Sequence, residues 1–200
     1  VLLDTAAFVP TDKLDLTEVQ PDFAVVSFYK IFGYPTGLGC LLMKKSIFNK
    51  MIKPWYAGGN ISLSAASYDG HYLMPNQERF EDGTIDYLGI PAITYGLKLI
   101  EEIEINTIKK RVRSLIGWLL TNLSSIKHDN GQPLIKIFGS QDLNQRGGTI
   151  VMNFYDVTGN LYSFSDIEQA ANKQNISIRT GCFCNPGLDE TNNDISFEEL

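Results

Sequence analysis

Two spacings of apolar residues divide this chain. Short apolar runs stand at about 1–4, 24–28 and 39–43, the pattern of buried strands. Between about 107 and 126 the period changes. Ile108, Val112, Leu115, Ile116, Leu119, Leu120 and Leu123 recur at three- and four-residue intervals, as one buried stripe on a long helix requires. A helix is predicted over about 87–103, capped by Thr84 and Asp86, and a short one over about 45–53. After Pro133 strands return near 134–138, 149–155 and 176–179. Ser165 and Glu168 have capping-box spacing for a helix over about 165–174. Trp55 to Pro75, rich in Gly, Ser and Asn, reads as a long loop.

Alternating strands and helices predict an α/β protein. The boundary is placed within the 87–126 helical region, so that residues 1–104 belong to a mostly parallel α/β sheet domain. Residues 105–200 then form a small α+β domain. Composition permits this, since 200 residues with 44% hydrophobic content can bury a core. A net charge of −6 argues against a nucleic-acid partner. The one basic cluster, Lys44, Lys45, Lys50 and Lys53, reads as a solvated face. No secretory signal or long apolar span is evident, which argues against a membrane. Three cysteines, an odd count, then imply reduced thiols and a cytoplasmic setting. Cys40 lies in an apolar run and reads as core. His71 and His128 lack neighbours at metal-ligand spacing, so no metal is assigned. Arg146-Gly147-Gly148 reads as a turn before a strand.

Two segments carry candidate chemistry. The first is Arg179-Thr180-Gly181-Cys182-Phe183-Cys184-Asn185-Pro186-Gly187, which follows Ile176-Ser177-Ile178. A strand there would release a loop bringing thiols and a guanidinium together. A nearby cation favours the thiolate, the nucleophile of sulfur chemistry, and an arginine fork suits a carboxylate. The plain alternative is a turn with two packed cysteines. The second segment is Ala24 to Met43, where an apolar run leads to Ser27 and Lys30. Gly33, Pro35, Gly37 and Gly39 follow before the next apolar run. A lysine at the end of a buried strand, beside permissive backbone, suits a Schiff base with pyridoxal phosphate, and Ser27 suits its phosphate. The alternative is a snorkelling lysine at a strand end.

Ser27-Phe28-Tyr29-Lys30-Ile31-Phe32-Gly33, with Pro35-Thr36-Gly37-Leu38-Gly39, resembles the cofactor-lysine segment of molybdenum cofactor sulfurases. These form part of the class V, cysteine-desulfurase-like branch of fold-type I pyridoxal phosphate enzymes. Three further segments match in order: Asp4 with Leu14-Asp15-Leu16 and Asp22-Phe23; Phe80-Glu81-Asp82-Gly83-Thr84; and the Arg179–Gly187 loop. Tyr29 stands where iron–sulfur cysteine desulfurases usually have histidine, and the Gly-Cys-Phe-Cys-Asn-Pro-Gly loop points the same way.

The resemblance implies part of a fold-type I large domain followed by a small domain carrying the catalytic cysteine. It implies an enzyme that desulfurates L-cysteine with pyridoxal 5'-phosphate, leaves a persulfide on Cys184, and passes the sulfur to the molybdenum cofactor. Lys30 would hold the cofactor and serve as base, and Asp4 would pair with the pyridine nitrogen. Ser27 would bind phosphate, with Tyr29 either joining it or packing. Thr84 would reach the phosphate of a neighbouring subunit in a homodimer, or cap a helix. Arg179 would hold the substrate carboxylate or stabilise a thiolate or persulfide. Cys184 fits the Arg-x-Gly-x-x-Cys pattern; Cys182 has no implied role. Two departures stand out. Ala7 occupies a position where desulfurases often have glutamine, and their downstream carboxylate-gripping arginine is not found. The chain is expected to be a fragment, lacking an N-terminal part of the large domain and a C-terminal molybdenum-cofactor domain. Two other readings remain: a desulfurase for iron–sulfur assembly, and a non-catalytic fragment unable to hold cofactor.

Overall fold

In the computed structural model the described residues are 1–55, 58–67 and 70–193. Contacts divide the chain into two compact units, Val1–Lys110 and Arg111–Leu200.

The first unit is built on a three-stranded sheet of β1 (Leu2–Asp4), β2 (Phe23–Ser27) and β3 (Gly39–Met43). β1 and β2 are parallel, with Asp4 opposite Val25; β2 and β3 are antiparallel, with Ser27 opposite Gly39. The sheet here is therefore mixed, and the parallel pairing expected from sequence is confined to β1–β2. Alternation puts Leu3, Ala24 and Val26 on one face. That face is covered, with Ala24 and Val26 buried. α1 (Tyr29–Phe32) follows β2 directly and packs on α3 (Ile90–Ile103). Gly96 is the reason they fit, since a Cβ there would fall 2.2 Å from the Phe32 ring. α2 (Lys45–Phe48) is a single turn, shorter than the predicted 45–53. Trp55 to Pro75 is not all loop. β4 (Ile61–Ala65) and β5 (Gly70–Leu73) pair antiparallel within it.

The second unit contains most of α4 (Ile105–Ser125), on which Ile116 and Leu120 are buried as the stripe requires. Leu115 departs from the stripe and is exposed. β6 (Ile135–Phe138) and β7 (Val151–Phe154) form an antiparallel pair. Arg146 makes a turn before β7, donating to the carbonyls of Ser140 and Thr149. α5 (Phe164–Lys173) forms without the expected capping box. Ser165 instead accepts from Gln169, and Glu168 accepts from Thr180. Residues 176–179 are not a strand, and the Ile176 amide bonds back to the Ala171 carbonyl in the last turn of α5. α6 (Pro186–Asn193) closes the described chain. No described helix is long and apolar enough to cross a membrane.

Candidate functional site

Asp4 and Ser27 lie at the carboxyl edge of the parallel β1–β2 pair, where open α/β sheets receive ligands. Only two residues of rise, about 7 Å along the strands, separate them, and pleat alternation puts them on the same face. Asp4 is exposed, and its Oδ1 accepts from the Ala6 amide at 2.9 Å, which fixes the carboxylate. The buried Thr5 closes the edge beneath it. Its amide and hydroxyl both donate to the Val25 carbonyl, at 3.1 and 2.6 Å. Sequence reasoning missed Thr5; a threonine after a strand has no signal that separates it from any other turn residue.

Three residues beyond Ser27, Lys30 stands exposed on α1 rather than in an open loop. Gly33 ends that turn at φ 84°, its amide bonded to the Tyr29 carbonyl at 2.8 Å. Tyr29 is exposed. Gly39 lets β3 return against β2, since a Cβ there would meet the Val26 carbonyl oxygen at 2.7 Å. The sheet edge that carries the Asp4 carboxylate and the Ser27 hydroxyl is thus followed at once by α1, with the exposed Tyr29 hydroxyl and Lys30 amine. That donor chemistry fits a phosphorylated pyridine aldehyde: amine for the aldehyde, carboxylate for the ring nitrogen, hydroxyls for the phosphate.

Thr84 is exposed and does not cap α3. The cap turn belongs to Asp86, whose Oδ1 accepts from the Gly89 amide at 2.8 Å. The residues just before Thr84 are tightly held. Asp82 accepts from Lys53, from Trp55 Nε1 at 3.1 Å and from Asn60 Nδ2 at 2.7 Å. Together these donors hold its carboxyl below the usual carboxylate range, Lys53 contributing most.

In the second unit, Arg179 and Cys184 come together as the sequence predicts. Arg179 Nη2 donates to Cys184 Sγ at 3.2 Å, and its guanidinium lies 5.8 Å from the Phe183 ring centroid. The backbone that achieves this is unusual. Gly181, Phe183 and Cys184 have φ of 91°, 52° and 64°. A left-handed conformation is uncommon for residues other than glycine, and for a bulky phenylalanine it is a genuine outlier. Such backbone concentrates at functional sites. Thr180 ties the loop's start to α5 through Glu168 at 3.0 Å, and the Asn185 amide bonds to the Cys182 carbonyl at 2.8 Å. Both Cys182 and Cys184 are exposed. Cys40 is half-buried on β3, and burial pushes its thiol up from the ordinary range. His128 contacts the Tyr155 carbonyl at 2.9 Å.

The predicted residues thus fall into two sets. Asp4, Ser27, Tyr29, Lys30 and Thr84 belong to the first unit; Arg179 and Cys184 belong to the second. A cavity of about 600 Å³ in the second unit, lined in part by Gln132, Lys136, Tyr155 and Thr158, includes none of them.

The family profile described as aminotransferase class-V matches residues 1–194. The chain is 38% identical to the molybdenum cofactor sulfurase of Bos taurus over 99% of its length, and 37% identical to that of Homo sapiens over 99%. It is 40% identical to the molybdenum cofactor sulfurase of Bombyx mori over 94%. It spans 23%, 23% and 24% of those proteins, about a quarter of each. Among solved structures, it superposes on a cysteine desulfurase from Thermococcus onnurineus with a TM-score of 0.76 at 23% identity, covering 92% of this chain and 42% of that one. A cysteine desulfurase from Escherichia coli gives 0.73 at 21% identity, covering 91% and 41%. These two likenesses establish the fold: mixed α/β of the fold-type I kind.

Proposed function

The chain belongs to the aminotransferase class-V family, and from that premise we propose that it forms part of a pyridoxal phosphate-dependent enzyme that takes sulfur from L-cysteine as a persulfide on Cys184. The observation that carries this reading is the guanidinium of Arg179 set 3.2 Å from the Cys184 sulfur on left-handed backbone. A cation there stabilises negative charge on sulfur, whether thiolate or persulfide.

When bound, pyridoxal phosphate supplies an electron sink for charge developing at the substrate α-carbon. The protein's own residues do the rest. Lys30 would anchor the cofactor, and its amine would serve as the base for the α-carbon proton. Asp4, fixed by the Ala6 amide, holds positive charge at the ring nitrogen. Ser27 and Tyr29 would offer hydroxyls to the phosphate, and Thr84 would offer its hydroxyl to the phosphate of the neighbouring subunit. Cys184 attacks the substrate sulfur as thiolate. A sulfur–sulfur bond forms and the Cβ–sulfur bond breaks. The carbon keeps the bonding electrons, takes a proton, and leaves as alanine. Sulfur remains as a persulfide, and exchange of this kind depends on access, which an exposed loop provides.

The acceptor in this reading is the molybdenum cofactor. It is supported by similarity to proteins named for that role and by Tyr29 in place of histidine. The protein works as a homodimer, in the cytoplasm, where its unpaired thiols stay reduced. The test uses the full-length protein. Borohydride treatment with pyridoxal phosphate is expected to trap a covalent adduct on Lys30 and none in Lys30→Ala. An adduct that persisted on another lysine would overturn the assignment.

A further inference from the structure

The loop that presents Thr84 is built more heavily than its exposure suggests. Lys53 carries its charge inward, with a side chain only 3% exposed. Its ammonium is shared between Asp82 and the Arg79 carbonyl, the latter at 3.1 Å. A buried ammonium is costly unless fully partnered, so this pair is a fixed feature rather than a passing surface contact. Asp82 is also held by Trp55 and by Asn60, a fully buried side chain. The next residue is pinned through its backbone: the Gly83 amide donates to the Gly58 carbonyl at 2.8 Å. Gly59 permits that approach, since its φ is 87° and a Cβ would lie 2.8 Å from the Gly83 oxygen. Upstream, Arg79 donates to the Phe48 carbonyl at 2.8 Å, and its guanidinium lies against the rings of Phe48 and Phe80, 4.1 and 4.9 Å from their centroids. Arg79, Asp82 and Gly83 are thus each tied to residues far away in sequence, and the first exposed hydroxyl beyond the ties is Thr84.

We propose that Lys53 and Asp82 are positioning residues that preset the Gly83–Thr84 segment to receive a phosphate. The inference rests on the reading of Thr84 as a phosphate contact. Rigidity there lowers the ordering cost of binding, so its loss weakens affinity for the phosphate and leaves the ring's contacts alone.

The test measures binding of pyridoxal phosphate and of pyridoxal, which lacks the phosphate, to the full-length protein. Asp82→Asn is expected to weaken pyridoxal phosphate about tenfold, the worth of one charge-assisted hydrogen bond, and to leave pyridoxal unchanged. Thr84→Ala is expected to show the same selective loss. The double variant is expected to be no worse than Thr84→Ala, because the strut acts only through that residue. Trp55→Phe, which removes one donor to Asp82, provides a milder version should Asp82→Asn fail to fold; the same selectivity is expected, smaller in size. Equal loss of both ligands, no loss, or additive losses in the double variant would overturn the proposal. A Thr84→Ala protein that bound both ligands like wild type would remove the underlying reading as well. Trapping at Lys30 in all variants keeps the cofactor assignment separate from both.

Discussion

At the scale of single residues, the three thiols differ in what surrounds them. Cys40 is half-buried, and burial raises its thiol from the ordinary range; Cys182 and Cys184 are exposed. Alkylation of the folded protein near neutral pH is therefore expected to label Cys182 and Cys184 well before Cys40, as read by peptide mass mapping. Fast labelling of Cys40 would contradict the burial. Asp82 gives a pH signature. The fold favours its ionised form, so its contribution is complete above the unfolded carboxylate's pKa of about 3.9 and is lost as pH falls through the lower folded value. In a Trp118→Phe background, Trp55 emission is expected to stay constant from neutral pH to about 4 and to change below it. A midpoint above that value would show that Asp82 is not held down. The sequence made Arg179 and Cys184 legible because five residues and a glycine force proximity. It hid Asp82's task because its partners lie 29, 27 and 22 residues away.

At the scale of elements, α4 was legible because its stripe is long and regular, and Ile116 and Leu120 are buried as the spacing demands. The β4–β5 pair was not, because Ser62 and Ser64 lend it the composition of a loop although Ile61, Leu63 and Ala65 alternate with them. The strand expected at 176–179 did not form: no strand among the described residues pairs with it, and apolar character alone cannot replace a ladder. Gly96 shows packing overriding propensity. Alanine in a helix interior is worth about 1 kcal/mol over glycine. Here the new methyl would collide with the Phe32 ring, and overpacking costs about 1–3 kcal/mol. Gly96→Ala is expected to lower the melting temperature; a rise would mean that Phe32 moves aside freely. Leu120→Ala on α4 is expected to cost about 2–4 kcal/mol in denaturant unfolding, since the residue is only 5% exposed.

At the scale of the whole molecule, the mixed α/β architecture followed from alternating elements and is shared with cysteine desulfurases. The residues assigned to the cofactor in the proposed reading lie in the first unit, and Arg179 and Cys184 lie in the second. The homodimer reading makes its own prediction. Mixing full-length Thr84→Ala and Lys30→Ala chains is expected to restore partial cofactor binding in verified heterodimers, because one hybrid site keeps both groups. Absence of recovery would confine Thr84 to its own chain. The central claim is that Cys184 receives the sulfur. Mass spectrometry of the full-length protein after treatment with L-cysteine and pyridoxal phosphate tests it most directly. An added sulfur atom is expected on Cys184, absent in Lys30→Ala, and unaffected by Cys182→Ser. Added sulfur on Cys182 with none on Cys184 would contradict it.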